Sequence, residues 1–290
     1  MANSPHIDHC WQDTLPRIAL QYPFVMHAIL SLSSLHLAYT NTATREQHNL
    51  DAVRHYDISL EGFREATHNI SIENCHALFG CSVLNAMCVI SLLRKQDDQI
   101  DFASRVSDIL GINYIPMIRG VQAVLHPFYD DIRKGPLALL LSLDNWKELD
   151  PDGLPFAEAE RFRHLEGIWL HSVDGHIYDQ ALGVLKKCYM HSLQTQRMKQ
   201  QRRKQRGDER GWYRPILFIH FASEEYFMRL YQRQPHALVL FAYFAVLIHG
   251  LEEYWFFYQW GRDIVKVVDK LLGAYWHSWM EWPKRMVGLL

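Results

Sequence analysis

The sequence is short of the residues that build disulfide frameworks and zinc fingers. It has five cysteines in 290 residues, at 10, 75, 81, 88 and 188. The number is odd, the gaps are uneven and no C-x-x-C occurs, which excludes a disulfide scaffold or zinc finger as the organising chemistry and fits reduced thiols. Net charge is also lacking: −2 at neutral pH, so no global basic field draws the chain to nucleic acid, and direct DNA binding is not expected. No run of apolar residues is long enough to cross a bilayer. The longest, Ala237 through Ile248, has twelve; at 1.5 Å per residue it reaches about 18 Å, against the ~30 Å of a hydrocarbon layer. The start, MANSPHIDHCWQD, has no basic n-region and no apolar stretch of a secretory signal. The expectation is a chain without transmembrane segments, placed in the cytoplasm, the nucleus or both. No Gly/Ser/Pro-rich linker, fixed-period repeat, G-x-S-x-G elbow or P-loop interrupts it, and no stretch alternates as a strand would.

What is present is helical periodicity. Val25, Ile29, Leu32, His36 and Tyr39 share a face after Pro23, a residue suited to a first turn. Leu50, Val53, Asp57, Leu60 and Phe63 repeat at steps of three and four. Ser71 is placed to cap a helix from about Glu73 to Arg94, with Leu78, Cys81, Leu84 and Cys88 inward. Pro116 to Leu143 reads as two helices broken at KGP. Helices are expected over Phe156–Leu170, around Tyr178–Cys188, over Trp212–Arg233, over Ala237–His249, and near 252–273 and 275–281, the last ending at Trp282-Pro283. The prediction is an all-α fold: one multi-helix domain over 1–290, with nine to eleven helices and a basic segment at 197–210.

That segment, RMKQQRRKQRGDER, carries seven Lys/Arg against Asp208 and Glu209. It reads as a solvated loop or frayed helix end; a nuclear import signal is the sharper alternative. Asp97-Asp98-Gln99-Ile100-Asp101 matches a D-D-x-x-D pattern, in which carboxylates grip magnesium on a diphosphate. No downstream partner motif accompanies it, so a polar loop is expected. In HLEGIWLHSVDGH, His164 and His171 share a helix face and His171 and Asp174 can meet, but His176 falls off that face, so a three-ligand metal set needs a turn at Gly175. They are expected as surface or core-edge groups, and no metal or cofactor is predicted.

The C-terminal aromatics carry the main functional expectation. Trp255, Trp260, Trp276, Trp279 and Trp282 fall within the last 36 residues. A helix apolar all round is buried on every side, yet EEYWFFYQWG holds more aromatic surface than one face buries. Apolar pockets are lined by such groups, with a few polar atoms for orientation. Phe241, Phe244, Ile248, His249, Glu252, Tyr254, Trp255, Tyr258 and Trp260 are the predicted ligand-binding residues; ordinary core packing is the competing reading.

Three stretches also carry a family resemblance: LPRIALQYPFVMHAILSLSSLHLA (15–38), RHYDISLEGFREATHNISIENCHALFGCSVL (54–84) and PHALVLFAYFAVLIHGLEEYWFFYQWGRDIVKVV (235–268), completed by WMEWPKR (279–285), with IRG at 118–120 and KGPL at 134–137. Together they resemble the C-terminal regulatory domain of fungal zinc-cluster transcription factors of the sterol uptake control type. The resemblance implies an all-helical domain that binds a sterol in an apolar pocket, with ligand loss releasing the protein to the nucleus. The six close cysteines of that family's DNA-binding part are missing, so the expectation is the sensor-like domain without its DNA reader. Its expected partner is a hydrophobic sterol- or terpenoid-like molecule. Two alternatives stand beside it: an enzyme, a cyclase or isomerase acting on a hydrophobic natural-product intermediate with unidentified catalytic residues, and a dimerising partner, as homodimer or with a full-length transcription factor.

Overall fold

The computed structural model describes residues 9–92, 102–141, 146, 148–202 and 215–290, and no strand occurs among them. The all-α reading is borne out. The described residues fall into two compact units, drawn from 1–97 with 113–143, and from 98–112 with 144–290.

In the first unit a π-helical turn, Cys10–Thr14, leads into α1 (Leu15–Gln21). Then come α2 (Pro23–Thr40), α3 (Arg45–Thr67), α4 (Cys75–Leu92), α6 (Tyr114–Leu125) and α7 (Tyr129–Lys134), closed by a 3-10 turn at Ala138–Leu141. Here α5 (Phe102–Ile109) is numbered in chain order but belongs to the second unit. Helices α2 and α3 form an antiparallel hairpin. Ser31 Oγ donates to the Ala52 carbonyl at 2.9 Å, His27 meets His55, and Phe24 lies against Gly62, so the positions run in opposite directions. The start of α4 differs from expectation. Ser71 does not cap it with its side chain; instead Asn74 Oδ1 accepts the Ser71 backbone N–H at 2.8 Å, and the helix begins at Cys75. Buried polar groups on α3 and α4 satisfy each other: Ser59 Oγ donates to Asn85 Oδ1 at 3.2 Å, and Asn85 Nδ2 donates to Cys81 Sγ at 3.4 Å.

By length and apolarity, α4 is a helix that could cross a membrane, although His76, Gly80, Ser82, Asn85 and Ser91 interrupt its apolar run. In this structure 78% of it is buried within the protein. Leu78, Phe79, Cys81 and Leu84 join Leu15, Val25, Val121 and Leu137 in one hydrophobic cluster.

The second unit is built around α12 (Pro235–His249), whose Ala237 through Ile248 are all buried. Around it lie α8 (Phe156–Glu166), α9 (Gly175–Arg202), α10 (Leu217–Phe221), α11 (Glu224–Tyr231), α13 (Trp260–Leu272) and α14 (His277–Met286). The helix expected over Trp212–Arg233 is two short ones: its described part breaks at Ser223, whose hydroxyl accepts the Tyr226 N–H and starts α11. The helix expected near 252–273 starts only at Trp260. Gln259 has φ 62°, a left-handed conformation that stops a right-handed helix from running through it. Pro283 does not end α14, which runs through it to Met286.

Candidate functional site

Helix α12 begins with Pro235 at its first position, where a missing N–H costs nothing. At its far end it meets α13 closely. A β-carbon on Gly261 would lie 2.4 Å from the Ala245 carbonyl oxygen and 2.6 Å from the His249 nitrogen. Only glycine admits that approach, and it sets where the intervening segment 250–259 must turn.

The nine predicted ligand residues divide into three sets. Phe241, Phe244 and Ile248 are fully buried in the core. Phe218 stacks on Phe244 with centroids 4.9 Å apart, and Phe241 lies 5.4 Å from Phe244, so side chains of the protein itself occupy that face. His249 and Glu252 come together at the helix end, with Nδ1 3.0 Å from Oε1. The same carboxylate oxygen accepts the Gln259 backbone N–H at 3.1 Å and thereby pins the turn. Tyr254, Trp255 and Tyr258 lie on that turn, around a 3-10 segment at Trp255–Phe257. Tyr254 and Trp255 are half-buried, and Tyr258 is 42% exposed. Trp260 is buried and stacks on Phe257 at 5.7 Å, which was not among the predicted nine.

A cavity of about 610 Å³ opens elsewhere in this unit, and none of the nine lines it. One wall is a single face of α9: His176, Asp179, Gly183 and Lys186, spaced by three, four and three. The other is formed by Pro151 and Asp152, by Glu166 at the end of α8, and by the turn holding Trp169, Leu170 and Ser172. Lys186 Nζ donates to Glu166 Oε1 at 2.7 Å and lies 3.8 Å from Asp152 Oδ1. Trp169 Nε1 donates to Asp179 Oδ1 at 2.7 Å, which fixes that carboxylate. Charged groups line both walls, and Asp152, Glu166 and Asp179 keep much of their surface in solvent. Sequence reading missed this cavity. The signal available was Gly183, a glycine inside an otherwise helical pattern.

The histidine-rich segment does not converge. His164 stacks on Trp279 at 6.3 Å, His171 is exposed, and His176 lines the cavity. Asp174 accepts two hydrogen bonds from Arg229, at 2.6 and 2.9 Å, and that guanidinium holds its carboxyl below the usual range. Among the described residues no group of three or more His, Cys, Asp or Glu has the placement to hold a metal ion. Asp97 to Asp101 lie outside the described residues. Of the basic segment, α9 continues to Arg202 and the remainder lies outside them.

Comparison with known proteins supports the resemblance read from the sequence. Residues 1–126 match the family model described as the fungal specific transcription factor domain. Over 80 residues the chain is 38% identical to Sterol uptake control protein 2 of Saccharomyces cerevisiae, a match covering 27% of this chain and 8% of that protein. The matched stretch is thus a small part of that relative's length. No solved structure matches.

Proposed function

The chain is similar to fungal transcription-factor regulatory domains, and from that premise we propose that it is a regulatory module responding to a hydrophobic small molecule of sterol or terpenoid type. The observation that carries this reading is the family match over residues 1–126, reinforced by the identity with a sterol uptake control protein. The proposed seat is the end of α12 and the aromatic turn after it, with Tyr254, Trp255 and Tyr258 at the surface and Phe241, Phe244 and Ile248 beneath. Because Phe218 packs against Phe244, and Phe257 against Trp260, a guest enters there by displacing protein side chains. Binding and rearrangement are therefore one event, and a guest with different affinity for the two states shifts their populations. His249 and Glu252 are the polar groups placed to meet a hydroxyl. The proposed consequence is altered contact with a transcription-factor partner, in the cytoplasm or the nucleus.

The test is two-part. Ergosterol is titrated against the purified chain while Trp emission and thermal stability are followed, and the chain is fused to a heterologous DNA-binding domain in a yeast reporter strain. The expected results are a saturable rise in Tm, weakened by Trp255→Ala, and reporter output that changes with sterol supply. No Tm shift with ergosterol or with a hydrophobic extract of fungal membranes, together with sterol-indifferent output, rejects the reading.

A further inference from the structure

Gly183 stands in the interior of α9, where glycine is a weaker helix former than alanine by about 0.5–1 kcal/mol. Such a residue usually permits a positive φ or a close approach of two backbones. Neither applies here: a β-carbon at Gly183 would meet no atom within 4 Å. What the glycine does is leave space, because it lies in the wall of the 610 Å³ cavity.

The chemistry of the remaining wall indicates what the space would hold. Three carboxylates, Asp152, Glu166 and Asp179, face one ammonium group, Lys186. That ammonium is already paired with Glu166, and its side chain is only 14% exposed. The carboxylates keep much of their surface in solvent, Asp152 at 83% and Glu166 at 42%, so an anion entering the cavity meets net negative charge and a compact cation is attracted. Asp179 is held by the Trp169 indole before any ligand arrives.

We propose that this cavity is a binding site for a small organic ammonium compound, separate from and independent of the hydrophobic seat at the end of α12. The experiment measures binding of putrescine and of choline to the full chain by isothermal titration calorimetry. It compares the parent with Gly183→Leu, which projects a neutral side chain into the cavity, and with Asp179→Asn, which keeps the acceptor for Trp169 but removes a charge. The expected result is one saturable site for at least one probe, weakened at least tenfold by Gly183→Leu and severalfold by Asp179→Asn. Gly183→Ala should give a Tm at or above that of the parent. Absence of saturable binding by either probe, or equal binding by the parent and Gly183→Leu, overturns the proposal, since diffuse attraction to surface carboxylates ignores a neutral plug. If Gly183→Leu does not fold, equal binding by the parent and Asp179→Asn overturns it. Ergosterol responses are unaffected by either substitution, so this test and that of the hydrophobic seat fail separately.

Discussion

Gly261 and Ala245 are in contact through backbone: a β-carbon added to the glycine would sit 2.4 Å from the alanine carbonyl oxygen. The nearest atoms belong to the main chain of α12, so no side-chain rotation relieves the clash, and α12 and α13 would have to separate. Gly261→Ala is expected to destabilise the protein by about 3 kcal/mol, the upper end of overpacking costs. Urea denaturation reads this as a lower midpoint; an unchanged midpoint would mean the two helices are not in this contact.

Phe244 offers the opposite substitution. It is fully buried between Phe218 and Phe241, and truncation leaves a void that its neighbours fill only in part. Phe244→Ala is expected to cost about 3–5 kcal/mol. Trp255→Ala, on the half-buried turn, should cost far less. Comparable losses for the two would show that the turn is as deeply integrated as the helix.

Acid should weaken the fold before its carboxylates titrate. His27 Nδ1 and His55 Nδ1 are 2.9 Å apart, which requires one to donate and the other to accept. Burial, and then the neighbouring His55, lower the pKa of His27 below 6.5; burial likewise lowers His76 and His236, against a smaller opposing pull from Asp131 and Asp174. The unfolded chain therefore binds more protons than the folded one as pH falls below about 6.5. Stability contributed by these groups is fully present above that pH and is lost as pH falls through the lowered folded values. Tm should fall between pH 7.5 and 5, and His27→Gln should flatten the slope. A Tm that rises or stays level over that range contradicts the assignment.

The thiols should be silent in the native state. All five cysteines are buried and unpaired with one another. Burial pushes Cys10 up to about 11 and Cys81 and Cys88 up to about 12, and raises Cys75 and Cys188. Thiolate is the reactive form, so Ellman's reagent at pH 8 should find almost no fast-reacting thiol in the folded chain and five after guanidinium unfolding. Rapid reaction of one or more native thiols would show that its surroundings open.

Much of this architecture was legible because helix formation is local. Twelve apolar residues from Ala237 to Ile248 can satisfy their backbone in a helix and avoid water only by being buried, and α12 is buried along that whole length. The three- and four-residue spacing over 50–63 likewise places α3. Legibility failed where one residue's conformation or one distant neighbour decided the outcome. Gln259 carries no sign of its left-handed φ in a pattern that otherwise reads as helix, so the spacing at 252–259 suggests a helix where the chain turns. Phe218, which covers Phe244, is separated from it by the whole of α11, and no periodicity links them.

The sequence by itself determined that this chain is helical and where most of its helices lie, because backbone hydrogen bonding acts over a few residues; on α2 and α3 the buried faces run through Ala28, Ser31 and Leu35 and through Ala52, Tyr56 and Ser59, beside the faces the spacing suggests. Only the tertiary structure decided what covers the helix faces: Phe218 and Phe257 over the rings expected to line a pocket, and open space over Gly183. That choice depends on which distant surfaces meet, and on whether an atom from elsewhere in the chain arrives within van der Waals reach.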